Sequence, residues 1–312
     1  MRKFILRRFI SSVIALLGVT LLVFILSRQV GDPVALLVSE GGYGLTENQW
    51  EIQRKKLNLD KPVPIQYILW LGQVATGDLG RDLSDNYPVT RKIQEKLPNT
   101  LKLGLVAWIV STLIGIPLGV LSAVKRGTVF DYIGRWFAVL GTTLPPFYIA
   151  IMAMLLFGVK LQWVPVAGIG EGLGAWKYYV LPVGTLAWGA ASGYLRLTRS
   201  SMLEVLDSEF IRLARAKGVG NTSIVFKHAL RNSLIVPFTV SALLLASFIT
   251  GVVVVEAVFA WPGLGRLAVE AVTNNNLNLV VGTTLVFAIL FLVVNFLVDI
   301  GYVLIDPRIR LS

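Results

Sequence analysis

The sequence has no cysteine and a single histidine, His228, among its 312 residues. These absences exclude disulfide bridges, thiolate metal sites, cysteine nucleophiles and any metal site built from several histidines. Charged residues are scarce too: they make up 15% of the chain, compared with about 25% in soluble proteins. Hydrophobic residues make up 55% of the chain. The composition therefore predicts a protein that lies in a lipid bilayer.

Motifs that bind ATP or catalyse hydrolysis are also missing. No segment fits G-x-x-x-x-G-K-[ST], the loop that holds phosphates in many ATPases. The patterns H-E-x-x-H and G-x-S-x-G do not occur, and no apolar segment carries paired carboxylates. We therefore predict that the chain is not an enzyme and binds no cofactor or metal itself.

Six apolar segments are each close to the length of about 20 residues that a helix needs to cross a membrane. The first, residues 9–26, is longer than the signal-peptide core of about 7–15 residues, which favours an uncleaved helix. The other five segments are 101–124, 136–159, 178–195, 235–259 and 279–305. This pattern predicts an all-α polytopic membrane protein with six transmembrane helices.

The distribution of charge predicts which side of the membrane each loop faces. Lysine and arginine in short loops are retained on the cytoplasmic side. With both termini inside, the inner segments hold sixteen of the 29 basic residues and five of the 18 acidic ones, which accounts for the whole net charge of +11. Because this charge is spread over four segments rather than one patch, no nucleic-acid partner is predicted.

These segments predict the organisation of the chain. The predicted parts are an N-terminal transmembrane helix (1–30), an external segment with short helices (31–99), a five-helix membrane core (100–305) and a cytoplasmic tail (306–312). The core contains a long cytoplasmic loop at 197–234. Two GxxxG spacings, Gly115 to Gly119 and Gly189 to Gly193, predict close approach between helices of the core.

The cytoplasmic loop shows two short helical patterns. The first has two faces: Phe210, Leu213 and Ala214 on one, and Ile211, Arg212 and Arg215 on the other. Asp207 or Ser208 can cap its start, Gly218 can end it in a left-handed conformation, and Asn221 can cap the second helix.

Two partners fit the first of these helices. Small residues at Ala214, Ala216 and Gly218, surrounded by basic side chains, suit insertion into a cleft of a cytoplasmic protein. The same basic helix also suits the anionic inner leaflet of the membrane. The pattern alone favours neither partner.

The loop resembles a known family. Its segments Phe210-Ile211-Arg212-Leu213-Ala214-Arg215-Ala216-Lys217-Gly218 and His228-Ala229-Leu230-Arg231-Asn232-Ser233-Leu234-Ile235-Val236-Pro237 are similar to the coupling loop of binding-protein-dependent ABC importer permeases of the dipeptide/oligopeptide/nickel branch. Other segments resemble that branch as well: Gly31-Asp32-Pro33, Gly77-Asp78-Leu79-Gly80, Leu161-Gln162-Trp163-Val164-Pro165, Leu181-Pro182, Trp261-Pro262-Gly263-Leu264-Gly265-Arg266 and Asp306-Pro307-Arg308-Ile309-Arg310. Arg212 and Leu213 depart from the first two positions of the generic Glu-Ala-Ala pattern, and Phe210 and Leu213 stand where this branch more often has tyrosine and threonine.

The resemblance implies a type I ABC importer permease (MetI-like) fold in a bacterial-type cytoplasmic membrane. It implies that the chain forms half of a translocation pathway for peptides or similar small solutes. The implied partners are a homologous second permease, two cytoplasmic ATPase domains that use ATP, and an external solute-binding protein. A self-sufficient secondary transporter or channel is the alternative, although the two halves of the chain show no clear internal repeat.

The resemblance also implies site residues. The predicted contacts with the ATPase are Glu209, Phe210, Arg212, Leu213, Ala214, Arg215, Ala216, Lys217, Gly218 and His228. Glu256, Trp261 and Pro262 are candidates for the gate or the pathway. A buried hydrogen bond between helices is the other interpretation of Glu256, and Asp299 is predicted to be structural.

Overall fold

The computed structural model of the chain describes residues 2–29, 51–52, 55, 58–82, 84–250 and 252–305. The segment Gly31-Asp32-Pro33 and the predicted tail 306–312 lie outside these residues. In the described part, the chain is helical apart from turns and one isolated β-bridge between Arg81 and Pro88.

The helices in chain order are α1 (Arg2–Gln29), α2 (Val63–Ala75), α3 (Val89–Val124), α4 (Val129–Thr143), α5 (Pro146–Lys160), α6 (Trp176–Leu206), α7 (Glu209–Ala216), α8 (Asn221–Ser233), α9 (Ile235–Thr250), α10 (Val253–Val258), α11 (Leu264–Thr273) and α12 (Leu277–Ile305). The end of α5, Met154–Lys160, and the middle of α8, Ile224–Ala229, are π-helical. A single 3-10 turn, Gly172–Gly174, precedes α6.

Three of the described helices, α1, α3 and α12, are long and apolar enough to cross a membrane. Two further pairs pass the same test together but are bent, α4 with α5 by 109° and α8 with α9 by 47°. If each bent pair is one span, the count is five. The six-span topology therefore stays a prediction.

The prediction of one continuous helix over 136–159 is wrong, because the chain breaks between α4 and α5. Leu144 and Pro145 adopt extended ψ angles of 133° and 139°. Proline has no N–H to donate within a helix, and the residue before a proline avoids the helical region. The consecutive Pro145 and Pro146 therefore end one helix and begin another.

Residues 1–99 and 263–312 form one compact unit. Within it, α1 packs on α12, where the Arg8 guanidinium contacts both carboxylate oxygens of Asp299 at 2.7 and 3.0 Å. The start of α3 packs on α11 and α12 through buried apolar side chains. These are Val89, Ile93, Leu264, Leu267, Ala271 and Leu279.

Residues 100–262 form the second unit, in which α6 contacts α4, α5, α8 and α9. The glycine pair of α3 lies directly against α6. A Cβ atom on Gly115 would lie 2.6 Å from the carbonyl oxygen of Ala191, and one on Gly119 would lie 2.6 Å from Cβ of Thr198. The predicted close approach at Gly115 and Gly119 is therefore confirmed.

The same prediction holds for Gly189 of the second pair but is wrong for Gly193. A Cβ on Gly189 would lie 3.4 Å from the carbonyl oxygen of Gly141 in α4, whereas among the described residues no non-neighbouring atom lies within 4 Å of a Cβ on Gly193. The close approach of α4 to α6 depends on Gly141, whose Cβ would lie 2.9 Å from Cβ of Ser192. A GxxxG spacing predicts that a helix is closely packed, but not at which of its residues the neighbouring helix approaches.

Candidate coupling site

Helix α7 ends in a backbone stop built around Gly218. This residue has φ +78°, the left-handed region that glycine enters without steric cost. Its N–H donates to the carbonyl of Arg215 at 2.9 Å, and the N–H of Val219 donates to the carbonyl of Ala214 at 3.2 Å. These two bonds form a Schellman motif. The predicted left-handed end at Gly218 is confirmed.

The predicted side-chain caps are not formed. Ser208 occupies the N-cap position of α7, but its hydroxyl donates to the carbonyl of Val205 instead of accepting an N–H of α7. Asn221 is the first residue of α8 rather than its cap, because the N–H of Ile224 already bonds the carbonyl of Gly220 at 3.1 Å. The predictions of side-chain capping by Asp207 or Ser208 and by Asn221 are therefore wrong.

Ile211 fixes how α7 is rotated about its axis. It is fully buried, and α7 packs on the π-helical part of α8. The apolar residues of the opposite face point outward, with Phe210 47% and Leu213 58% exposed. The grouping of Ile211 with Arg212 and Arg215 on one polar face is therefore wrong, because Ile211 faces the rest of the chain.

The structure brings the predicted ATPase-contacting residues together on one exposed helix and its end. Eight are exposed: Glu209, Phe210, Arg212, Leu213, Arg215, Ala216, Lys217 and Gly218. Ala214 is half-buried. Arg212 Nη1 donates to Glu209 Oε1 at 2.8 Å, and both side chains remain largely in solvent. The surface of α7 therefore combines two apolar side chains with an excess of positive charge.

The tenth predicted contact, His228, lies apart on α8, where it is half-buried. Its carbonyl accepts a hydrogen bond from Asn232 Nδ2 at 2.7 Å. In the part of the chain that the structure describes, no group of three or more histidine, aspartate or glutamate side chains could hold a metal ion.

A small apolar cluster connects α8 to the ends of α3 and α6. Its buried members are Ala123, Met202, Val225 and Ala229. The same π-helical segment supplies Val225 and Ala229 and contacts α7, so α7 is connected to this cluster through direct contact.

The three candidate gate residues lie at the opposite end of α3. Glu256 is fully buried in α10, and its carboxylate accepts a hydrogen bond from the hydroxyl of Thr100 at 2.7 Å. Trp261 is also fully buried, and its ring meets that of Tyr179 edge-on with centroids 4.6 Å apart. Pro262 is half-buried. Glu256 and Trp261 thus contact neighbouring helices of their own chain.

A buried ion pair between Asp131 and Arg199, at the start of the predicted cytoplasmic loop, was not among the predicted sites. Asp131, at the start of α4, is 1% exposed. Arg199 of α6 donates to both of its oxygens, with Nε at 2.7 Å and Nη2 at 3.0 Å. Ser122 of α3 and the backbone N–H of Gly127 complete its hydrogen bonds, at 2.6 and 3.1 Å. We call these groups the Asp131 cluster; they join three helices at one carboxylate.

A second buried carboxylate, Asp82, holds the turn before α3. It accepts hydrogen bonds from Lys92, Asn276 and Ser84, and Lys92 also contacts Asp85 at 2.6 Å. Burial raises the pKa of Asp82, but the hydrogen bonds from Lys92 and Ser84 outweigh it and lower the pKa from 3.8 to about 2. The hydrogen bond from Lys92 lowers the pKa of Asp85 as well. Among the described residues, this network ties the turn at 78–88 to α3 and to the start of α12.

The pKa of Asp82 predicts acid sensitivity. A carboxyl whose pKa is lowered by folding contributes stability that is present above the unfolded pKa of 3.8 and is lost as the pH falls toward about 2. We expect a loss of about 2 kcal/mol across this window. Thermal unfolding of the purified protein between pH 5 and pH 2 measures it. The variant Asp82→Asn should lack this part of the pH dependence, and a parallel decline of both proteins would contradict the assignment.

Two families match the sequence. Residues 115–311 match the family described as "Binding-protein-dependent transport system inner membrane component". Residues 1–104 match the family described as "Binding-prot-dependent transport system membrane comp, N-term". Together the two matches cover nearly the whole chain.

Similar proteins are found among known sequences and solved structures. The chain is 36% identical to the oligopeptide transport system permease protein AppB of Bacillus subtilis (strain 168), over 99% of this chain and 100% of AppB. A chain of the inward-facing MetNI methionine ABC transporter superposes with a TM-score of 0.51 at 22% identity, covering 66% of this chain and 93% of that one. A chain of an amino acid ABC transporter crystallised with histidines gives a TM-score of 0.55 at 14% identity, covering 68% and 93%. These structural likenesses confirm the predicted fold class.

Proposed function

Because the chain belongs to the family of binding-protein-dependent transport system inner membrane components, we propose that α7 is the helix on which a separate ATPase docks, and that the solute carried is a peptide. The family membership also decides between the two classes that the sequence leaves open. The chain is a membrane-spanning permease subunit of an ABC importer, not a self-sufficient secondary transporter, and it is a transport component rather than an enzyme.

The geometry of α7 supports the docking role. The helix is anchored on one side by Ile211 and presents Phe210, Leu213 and Arg212 outward. Residues 209–233 contain five basic residues and one acidic residue, so an acidic groove on the partner would complement this surface. The direct contact of α7 with α8, which packs on α3 and α6, supplies a route from the docked ATPase to the membrane helices.

The assembly that we propose contains this chain, a homologous second permease, two ATPase domains and an external solute-binding protein. ATP binds to the ATPase domains, and this chain holds no cofactor. The peptide class rests on the relative AppB, an oligopeptide transport system permease protein. Selection of the individual solute would then lie mainly with the binding protein.

The chain is an inner membrane protein, as its family is, and we propose that both termini are cytoplasmic. The pair Arg8 and Asp299 supports this, because it places the start of α1 and the end of α12 on the same side. In the second unit, contacts of Asp131 with Ser122 and Arg199 place the end of α3, the start of α4 and the late turns of α6 together. Those helix ends carry lysine and arginine residues, which the positive-inside rule places on the cytoplasmic side.

For Glu256, Trp261 and Pro262 we propose an indirect role in the pathway. The contacts of Glu256 with Thr100 and of Trp261 with Tyr179 hold α10 and the turn after it, which includes Pro262, against α3 and α6. They would thus set the shape of the pathway by fixing α10 rather than by touching the solute.

The docking role is tested with Arg212→Glu. Because Arg212 is exposed and, among the residues that the structure describes, pairs only with Glu209 of the same helix, the variant should remain in the membrane. We expect the amount of ATPase that co-purifies with the permease, and the uptake of an oligopeptide into vesicles, to fall about fivefold, since a like-charge contact at an interface costs more than a lost surface pair.

The double variant Glu209→Arg/Arg212→Glu is the matched control for helix stability. It restores an ion pair at the same spacing and keeps the net charge of α7. If the surface charge pattern matters for docking, the double variant stays defective. Recovery of ATPase binding in the double variant, or normal binding in Arg212→Glu, would refute the docking assignment.

A further inference from the structure

Asp131 accepts more hydrogen bonds than are needed to keep a single carboxylate buried in a helix. Both oxygens of Asp131 accept two hydrogen bonds each, and the donors come from α3, the turn at Gly127 and α6. A planar guanidinium binding a carboxylate through two parallel bonds fixes orientation as well as distance. The pair therefore specifies how the start of α4 is placed relative to α6.

A buried ion pair is weak evidence for stability, because its desolvation cost offsets much of the attraction. The geometric role is the better-supported use of such a pair. Arg135 shows the contrast within the same cluster: its Nε lies 3.8 Å from Asp131, and its side chain is 46% exposed. It adds charge near Asp131 without fixing any orientation.

The cluster lies beside the parts of α3 and α6 on which α8 packs, and α8 is the helix that α7 contacts. Ser122 precedes Ala123, and Arg199 is one helical turn before Met202; both Ala123 and Met202 belong to the apolar cluster that packs on α8. A second, exposed pair, Arg126 with Asp207 at 3.6 Å, joins the turn after α3 to the residues just before α7. The Asp131 cluster thus fastens α4 to α3 and α6, the two helices on which α8 packs.

We propose that Asp131 and Arg199 are positioning residues for energy coupling. They make the end of α3, the start of α4 and the late turns of α6 move as one body when the ATPase moves α7. This inference rests on the proposed docking function of α7. Without the pair, α6 would follow α7 while α4, joined to α5 by a bend of 109°, would lag behind.

Because this chain has no cysteine of its own, labels can be placed at chosen positions in it, and the test uses the assembled complex of permeases, ATPases and binding protein with any cysteines of the partner subunits replaced. Cysteines at Ile133 of α4 and Glu204 of α6, both exposed, are spin-labelled, and their separation is measured without nucleotide and after addition of ATP and vanadate, which leaves ADP and vanadate trapped on the ATPases. We expect the same distance distribution in both states. In Asp131→Asn/Arg199→Gln, a neutral pair of similar shape, we expect a shift of about 2 Å or more between the states, the scale of helix displacements at interfaces.

Two further variants separate positioning from charge. In Arg135→Gln the label distance should stay the same in both states, as in the unchanged protein. In Arg199→Lys, which keeps the charge but not the two parallel hydrogen bonds, the label distance should change between the states as it does in Asp131→Asn/Arg199→Gln. A label distance that changes with ATP in the unchanged cluster would overturn the proposal. So would a neutral pair whose distances do not change, or one that is simply lost from the membrane, which would assign the cluster to stability alone.

The same complexes distinguish this inference from the docking proposal. The ATPases should co-purify normally with Asp131→Asn/Arg199→Gln and poorly with Arg212→Glu. If Arg212→Glu retains its ATPases, the docking assignment fails whatever the labels report. If Arg212→Glu loses them while the neutral pair shows unchanged label distances, only the positioning role fails.

Discussion

Replacing Gly218 with valine is expected to reduce oligopeptide uptake by roughly tenfold while the chain remains in the membrane. Gly218 has φ +78°, and a β-branched residue is a steric outlier there. The left-handed conformation costs about 1–2 kcal/mol for a residue with a Cβ atom, which corresponds to about a tenfold loss of the docking-competent end of α7. In the described part of the chain no non-neighbouring atom lies within 4 Å of the position of a Cβ on Gly218, so the effect comes from the backbone and not from a clash.

Two controls isolate the conformational cause. Gly218→Asn should retain most of the uptake, because asparagine enters the left-handed region more readily than other residues. Gly220→Ala, two residues away, should be neutral, since Gly220 has φ −63° and open space around its Cβ position. Equal losses in Gly218→Val and Gly218→Asn would show that the Schellman end does not govern docking.

Replacing Gly115 with alanine is expected to lower the unfolding temperature in detergent by roughly 5 °C or more. The added methyl group would lie 2.6 Å from the carbonyl oxygen of Ala191 and 2.8 Å from its Cα. Backbone atoms cannot rotate away as a side chain can, so α3 and α6 must separate. Overpacking of this kind costs about 1–3 kcal/mol, and each kcal/mol shifts the midpoint by a few degrees.

Gly193→Ala is the matched control, because it adds the same methyl group to α6 at a position where no non-neighbouring atom of the described residues lies within 4 Å. Alanine is also the better helix former, so its unfolding temperature should stay the same or rise. A similar decrease in both variants would mean that helix flexibility, and not the contact between α3 and α6, explains the result.

The end of α7 could be predicted from the sequence because it is a local feature. Gly218 follows a helical pattern directly, and its conformation depends on its own backbone and on the preceding turn. The rotation of α7 could not be predicted in this way. The eight residues of α7 include apolar side chains on both faces, with Phe210 and Leu213 on one and Ile211 on the other. Only packing against the neighbouring α8 decides which face is buried.

The two buried carboxylates show the same limit over longer distances. Arg199 follows Asp131 by 68 residues, and Asn276 follows Asp82 by 194 residues. The sequence offers 29 basic residues as partners for Asp131, and the charge rule for membrane loops places many of them on the same side. Only helix packing selects Arg199 from among them.

What holds α7 in place is separate from what α7 shows to the outside. Its position depends on Ile211, on the Schellman end at Gly218 and on the turn at Ser208. The outward side chains are therefore not needed to hold the helix in place. The surface of α7 can therefore be exchanged while its placement is kept. Changing a few exposed residues between Glu209 and Lys217 would then be enough for a permease to bind a different ATPase. Related transporters could differ in their ATPase partner without any change of fold.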